Sequence, residues 1–285
     1  MSDLRQSPQY ANYLSQLGWV VEKLNGNYIY LKKIPFLGYF AKIQRTKGVD
    51  PQTIKLITQK YKPFRIVVEP LTTSFRSVTI GGLSTIPVTK DNHNPLYTPK
   101  FHLCKSPYLP TKTLLIDISK SEEKIVGGFA KDVKRVLAKL QITNYKSQIV
   151  GTVQQITGFH KAWRKAVPWT RYVPSLKNIL ALKKSFGDSC LLISNDNKCG
   201  IVFLIADKTL YYYLAWSNKR VSHTADMYRL VWEGIKLGKA CGCTKFDFEG
   251  IFDDRFPNKS WLGFSHFKSR FGGQEILYPG CFVVS

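Results

Sequence analysis

Long apolar runs are missing from this sequence, and none approaches the roughly 20 residues that a membrane-crossing helix needs. The opening MSDLRQSPQY is polar and has no secretory apolar core, so a cytoplasmic protein is expected. Metal-ligand pairs are missing too. Cys104, Cys190, Cys199, Cys241, Cys243 and Cys281 form no C-x-x-C, and the five histidines supply no second pair at short spacing. Reduced thiols packed as small apolar groups are expected, and no metal. Acidic residues are scarce: 19 Asp+Glu stand against 42 Lys+Arg, a net charge of +23. Such a surface attracts polyanions, and a tRNA, a nucleotide-linked substrate and an anionic membrane face all qualify. A solvated basic surface with no such partner would give the same count.

Several reaction motifs are absent as well. No G-x-S-x-G occurs, and Ser, His and Asp are scattered, which leaves a covalent acyl-enzyme without support. There is no Walker sequence and no G-x-G-x-x-G opening a helix; Gly81-Gly82 is too isolated to form a phosphate loop. What is present is enough apolar material for a core. With 285 residues, 44% hydrophobic and 13% aromatic, the chain can hold one large domain or two ordinary ones.

In chain order, Pro8 to Leu17 reads as an amphipathic helix ended by Gly18. Strands Trp19 to Leu24 and Tyr28 to Ile34 flank an Asn-Gly turn, a hairpin signal. Tyr39 to Arg45 is a third strand, Pro51 to Tyr61 a helix, and FRIVVEPL a buried strand stopped by Pro70. Phe75 to Pro110, rich in Pro, Gly, Asn and Thr, reads as one or two irregular strands and a connector. TLLIDI (Thr113 to Ile118) is a strand, and Ser119 to Glu123 starts a helix that continues through Lys131, Lys134, Arg135 and Lys139 to Leu140. That helix is either a solvated basic face or a phosphate-contacting one. A strand from Ile149 to Val153 and helices from Gly158 to Ala166 and Ser175 to Phe186 follow. An antiparallel meander then spans Cys190 to Trp216, and a long helix runs from His223 to Cys241.

The most informative stretch comes next: KFDFEGIFDDRFPNKSWLGFSHFKSRFGG, Lys245 to Gly273. A strand with Phe246 and Phe248 on one face breaks at Gly250. A polar loop leads to a helix carrying Phe264, Phe267 and Phe271, and Gly272-Gly273 stops it. The D-F-x-G-I strand end followed by G-F-x-x-F-K-x-x-F-G-G resembles the C-terminal signature of the Fem family of aminoacyl-tRNA-dependent peptidoglycan bridge-forming transferases. The Q-S-P start, the LGYFAKIQR strand, the Arg-Ile-Val-Val-Glu-Pro strand and the S-x-S-E-E after TLLIDI extend that resemblance over most of the chain. Two departures stand out: Thr46-Lys47-Gly48 follows Arg45, and Glu249 sits where the family more often has Gly.

The resemblance implies a mixed α/β fold of tandem GNAT-like (acyl-CoA N-acyltransferase) domains. Residues 1–112 would form the first domain, with the strand 274–285 returning to it, and 113–273 the second. Element order agrees with two such units, although no repeat is visible in the sequence. The stretch before His223 reads Ser217-Asn218-Lys219-Arg220, without the glycines of an acetyl-CoA phosphate loop, in keeping with a charged tRNA as acyl donor. The implied reaction is attack of a stem-peptide amine on the ester of an aminoacyl-tRNA. The acceptor would be UDP-MurNAc-pentapeptide or a lipid-linked peptidoglycan precursor. No cofactor beyond the aminoacyl-tRNA co-substrate is implied. A monomer is expected, with peripheral contact to an anionic membrane as a further expectation. No stretch of coiled-coil pattern matches the helical arm of some family members.

By position, the resemblance assigns substrate contacts to Lys33 or its neighbour Lys32, to Arg171 of Trp169-Thr170-Arg171-Tyr172, and to Tyr213 of TLYYYLAWS. It assigns catalysis to Lys268, opposite the developing oxyanion or on a phosphate, and to Asp247, which could orient a cation or take a proton; the residues alone equally allow Asp247 to cap the loop Gly250 to Asp254. Two other classes remain open: a GNAT-fold N-acyltransferase acting on another amine, and a basic RNA-binding protein that transfers nothing.

Overall fold

The computed structural model describes residues 3–72, 78–80, 83–85, 99–139, 147–195, 198–221 and 224–284. Ser7 opens the first helix, α1 (Pro8–Gln16), by accepting a hydrogen bond from the amide of Tyr10, and Pro8 occupies a position where its missing N–H is not needed. β1 (Val20–Leu24) and β2 (Asn27–Ile34) pair antiparallel around the two-residue loop Asn25-Gly26. Both loop residues have positive φ, 47° and 79°, the geometry Asn-Gly accepts at least cost. β3 (Gly38–Thr46) continues the meander, and α2 (Pro51–Tyr61), capped by Asp50, crosses to β4 (Arg65–Pro70), parallel to β3. β5 (Val78–Ile80) and β6 (Leu83–Thr85) form a separate antiparallel pair. β7 (Phe101–Leu103) completes the region, and Gly81-Gly82 lies outside the described residues. The first six-stranded sheet runs β1-β2-β3-β4, then the strand Phe282–Val284, then β7.

The alternation of β2, β3 and β4 puts Ile29, Leu31, Ile43 and Val68 on one face, where α2 covers them with Ile54 and Ile57. The family departure after Arg45 is a bulge: the β3–β4 register shifts between Gln44 and Thr46, and Arg45 takes φ 53°. Its guanidinium lies 3.4 Å from the ring centre of Tyr278 and donates to the carbonyl of Pro110 at 2.6 Å.

The second sheet begins with β8 (Lys112–Asp117). The helix expected to run on to Leu140 is two helices, α3 (Glu122–Gly127) and α4 (Lys131–Ala138). Gly128 caps the first, and the break lets Phe129 turn inward to pack edge-on against Trp232 and Phe271. Leu140 lies outside the described residues. β9 (Gln148–Val150) precedes α5 (Val153–Ala166), which starts five residues before its expected onset because Thr152 and Gln155 form a capping box. α6 (Leu176–Phe186), β10 (Cys190–Asn195), β11 (Cys199–Ala206) and β12 (Thr209–Ser217) follow. α7 (Thr224–Ala240) then crosses to β13 (Lys245–Asp247), parallel to β12. A short 3-10 turn leads into α8 (Leu262–Ser269), and the chain ends with β14 (Gln274–Leu277) and β15 (Phe282–Val284).

The seven-stranded order is β14-β8-β13-β12-β11-β10-β9. The tail therefore differs from the expected single strand 274–285: β14 extends the second sheet beside β8, and only β15 enters the first. β8 offered β14 a free edge, which a sequence pattern cannot show. Contacts divide the chain into one unit of Met1–Lys112, Asp253–Pro257 and Leu277–Ser285 and another of Thr113–Phe252 and Asn258–Ile276. Each unit has a mixed sheet in which an antiparallel meander passes through a helix to a parallel strand, the arrangement expected of a GNAT-like unit.

α7 lies unusually close to this second sheet. A Cβ built on Gly234 would come within 2.3 Å of the fully buried Phe203 ring, and one on Gly238 within 2.7 Å of Leu210. Gly234→Ala is therefore expected to lower unfolding free energy by about 1–3 kcal/mol in denaturant titrations, despite alanine's better helix propensity. An unchanged or raised midpoint would mean that the ring can yield.

Candidate functional site

β13 pairs with β12 only along Thr209–Tyr211, whereas β12 runs on to Ser217. Past Tyr211 no strand among the described residues covers that side of β12, and a cavity of about 670 Å³ lies there, a volume suited to a small-molecule group. The β11–β12 register also breaks at this point. Val202 faces Leu214 and Phe203 faces Tyr212, so Tyr213 is an extra residue. The bulge interrupts strict alternation, and the consecutive Tyr212 and Tyr213 both line the cavity. Trp216 and Met227 add apolar wall, α8 supplies Phe264, Phe267 and Lys268, and the loop after α5 supplies Arg171.

Lys268 is the chemical centre of this cavity. It is only 8% exposed, and its Nζ donates to the carbonyls of Phe248 and Gly250, both at 2.7 Å. The same nitrogen lies 4.9 Å from the ring centre of Phe264 and 5.3 Å from that of Tyr212. A tetrahedral nitrogen so held has one position left, a proton in the ammonium or a lone pair in the free amine. Burial lowers Lys268 to about 8, while the charges of Glu249 and Asp247 oppose the shift. Both protonation states are thus accessible near neutral pH.

The carbonyls are aimed by local backbone geometry. Asp247 Oδ1 accepts from the Thr113 hydroxyl at 2.6 Å and from the Glu249 amide at 2.7 Å, closing a turn over Phe248. The Gly250 amide donates to Thr113 Oγ1 at 3.0 Å. Glu249 has φ 58° and Gly250 φ 121°. The position at which the family more often has Gly is therefore a left-handed one, held here by a glutamate. One turn before Lys268 on α8, Ser265 accepts from the Phe252 amide at 2.6 Å. The helix grips the same loop twice. Its C-terminal end is tied by Arg270, which forms a forked pair with Asp132 at 2.6–3.3 Å; Tyr228 donates to the same carboxylate at 3.0 Å.

Of the residues singled out in the sequence, Arg171, Tyr213 and Lys268 line this one cavity. Asp247 is buried behind it, in the turn that orients the lysine's acceptors, rather than in the lining. Lys33 belongs to the first unit, exposed on β2. Lys32 closes the end of α1, its Nζ donating to the carbonyls of Leu17 at 2.8 Å and Gly18 at 3.1 Å. Sequence reasoning overlooked Thr113, Ser265 and Tyr212. The i, i+3 spacing of Ser265 and Lys268 on a helix was the one signal for a shared face; Thr113 reaches the turn from 134 residues away. Among the described residues, no cluster of three or more His, Cys, Asp or Glu could hold a metal ion, and no helix is long and apolar enough to cross a membrane.

No protein-family profile matches the chain, and no curated protein matches its sequence. Solved structures do. FemX superposes with a TM-score of 0.72 at 14% identity, over 99% of this chain and 92% of its own. L-PGS from Bacillus licheniformis gives 0.57 at 10% identity, over 95% of this chain and 85% of its own. The C-terminal DUF2156 domain of a protein from Agrobacterium fabrum, described as a candidate lysylphosphatidylglycerol synthetase, gives 0.56 at 12% identity, over 99% of this chain and 88% of that one. The chain has the fold of FemX, end to end.

The held lysine has a thermodynamic signature. Its folded value, about 8, lies below the ~10.4 of an exposed lysine, so between these pH values the unfolded chain binds the extra proton. The destabilisation from burying the ammonium is complete below that window and relieved as pH rises through it. The stability difference between wild type and Lys268→Met should therefore increase in favour of wild type from about pH 8 to about pH 10, in matched denaturant curves. Lys42, which burial also lowers to about 8, is common to both proteins and cancels. A flat difference would show that this amine is hydrated.

Proposed function

We propose that this protein is an aminoacyltransferase that moves an amino acid from aminoacyl-tRNA to the stem-peptide amine of a peptidoglycan precursor, using the cavity around Lys268. One observation carries the reading: a buried amine, held by two carbonyls and left one open position, faces an apolar cavity that also contains Arg171 and Tyr213. An aminoacyl ester already reacts with amines, so the protein need only align the partners, move a proton and stabilise the oxyanion. The acceptor nitrogen attacks the ester carbonyl, the C–N bond forms, and the C–O bond to the ribose breaks. The nitrogen loses a proton and the departing ribose oxygen gains one, so the protons balance. As a free amine Lys268 can take that proton; as an ammonium it can donate to the oxyanion or return the proton to the leaving oxygen.

Arg171 suits a phosphate of either substrate, and Tyr213 suits positioning of the acceptor at the bulge. Asp247 acts as a positioning residue through the turn at Glu249. The FemX-like fold supports the reading, and a neighbour described as a lysylphosphatidylglycerol synthetase is in keeping with an amino acid as the transferred group. The aminoacyl-tRNA is the only co-substrate required, in a monomeric cytoplasmic protein with the precursor, soluble or lipid-linked, as partner.

The test is to incubate the protein with a pool of radiolabelled aminoacyl-tRNAs and UDP-MurNAc-pentapeptide, then with the lipid-linked precursor. Label is expected on one precursor, at a rate lowered by roughly 10²–10⁴ in Lys268→Met, as for loss of a general acid–base group. Arg171→Ala should instead raise KM. Tight tRNA binding with neither precursor labelled would overturn the reading in favour of an RNA-binding protein without transfer activity.

A further inference from the structure

Among the described residues of the first unit, the two most exposed large apolar side chains are neighbours in one turn. Phe36 is fully exposed, with a relative accessibility of 107%, and its neighbour Leu37 is 62% exposed. Both lie in the turn between β2 and β3, where the Leu37 amide donates to the Ile34 carbonyl at 3.2 Å. Pro35 and Phe36 are the central residues, and Phe36 has φ 64°. A turn with proline first and positive φ second favours glycine at that second place. A phenylalanine there is strained, and in return its ring buries nothing within the unit.

The surroundings are equally specific. The Phe64 amide donates to the Tyr39 carbonyl at 2.9 Å, bringing Phe64, 49% exposed, to the same end of the sheet. Exposed cations stand beside these residues. Lys33 pairs across β2–β3 with Tyr39, Arg65 lies opposite Phe40, and Lys62 precedes Phe64 at the end of α2. We infer that this hairpin tip is a membrane-docking element, with Phe36 and Leu37 entering the interfacial region of an anionic bilayer while Lys33, Lys62 and Arg65 meet its headgroups. Short apolar wedges rimmed by cations bind such surfaces by combining burial with attraction to anionic lipid. A second copy of this chain is a poor occupant, because like cations would meet. A nucleic acid could stack on Phe36 but would leave the aliphatic Leu37 in water, whereas a bilayer interface buries both.

Vesicle sedimentation tests this with the whole protein, and needs no aminoacyl-tRNA, so its outcome is read separately from the transfer reaction. Wild type should bind vesicles of mixed phosphatidylglycerol and phosphatidylcholine, far less those of phosphatidylcholine alone, and should weaken at about 0.5 M salt. Phe36→Gly, which suits the local φ and should melt no lower than wild type, is expected to reduce partitioning about tenfold or more, and Leu37→Ser similarly. Equal binding by the variants, or no preference for anionic vesicles, would overturn the inference. So would a wild-type dimer in light scattering that Phe36→Gly dissolves, because the tip would then bind its own copy.

Discussion

A single ammonium group, Lys268 Nζ, lies between the carbonyls of Phe248 and Gly250, and much of the second unit is arranged around that contact. The carbonyls belong to a turn that would splay without Asp247 and Thr113, and the lysine belongs to a helix that would drift without Ser265 and Arg270. Beneath both, Phe246, Phe248 and Phe271 are fully buried against the sheet and α7. The aromatic core thus does more than exclude water. It removes the solvent that would otherwise fix Lys268 as a permanent cation, while the backbone carbonyls keep the nitrogen in place in either protonation state.

The cavity exists because the sheet is interrupted there. A parallel strand joined through a helix need not match its neighbour in length, and β13 stops while β12 continues. The bulge at Tyr213 then turns neighbouring side chains toward the gap. The first unit repeats the meander, helix and parallel strand, but its bulge lies between the parallel strands β3 and β4, where Arg45 packs on Tyr278 and donates to the Pro110 carbonyl.

Charge is also put to different uses within the chain. Arg45 and Arg270 are structural, each fixed by a ring or a carboxylate. Lys32 caps a helix. A net charge of +23 therefore cannot be assigned wholesale to one partner, and the cations near the hairpin tip stand out because the Phe36 ring beside them is fully exposed.

Much of this was legible in the residues themselves. The Asn25-Gly26 hairpin, the α2 helix between Pro51 and Tyr61, the meander and the strand–loop–helix at Lys245–Gly273 follow from local rules of turn chemistry, capping and periodicity. Lys268 could be singled out from its motif. What the sequence left open depended on partners distant along the chain. The break after Gly128 answers to Phe129 packing on Trp232 and Phe271, and β14 found its place only because β8 had an edge to share. Asp247 read either as a group to orient a cation or take a proton or as the cap of the loop from Gly250 to Asp254, and it was Thr113 and the Glu249 amide that made it the fastening of the turn before that loop. Local sequence determined which residues could form each element and where it could start. Tertiary structure alone decided which side chains met water, because burial and the pKa of Lys268 are set by neighbours that only folding brings together.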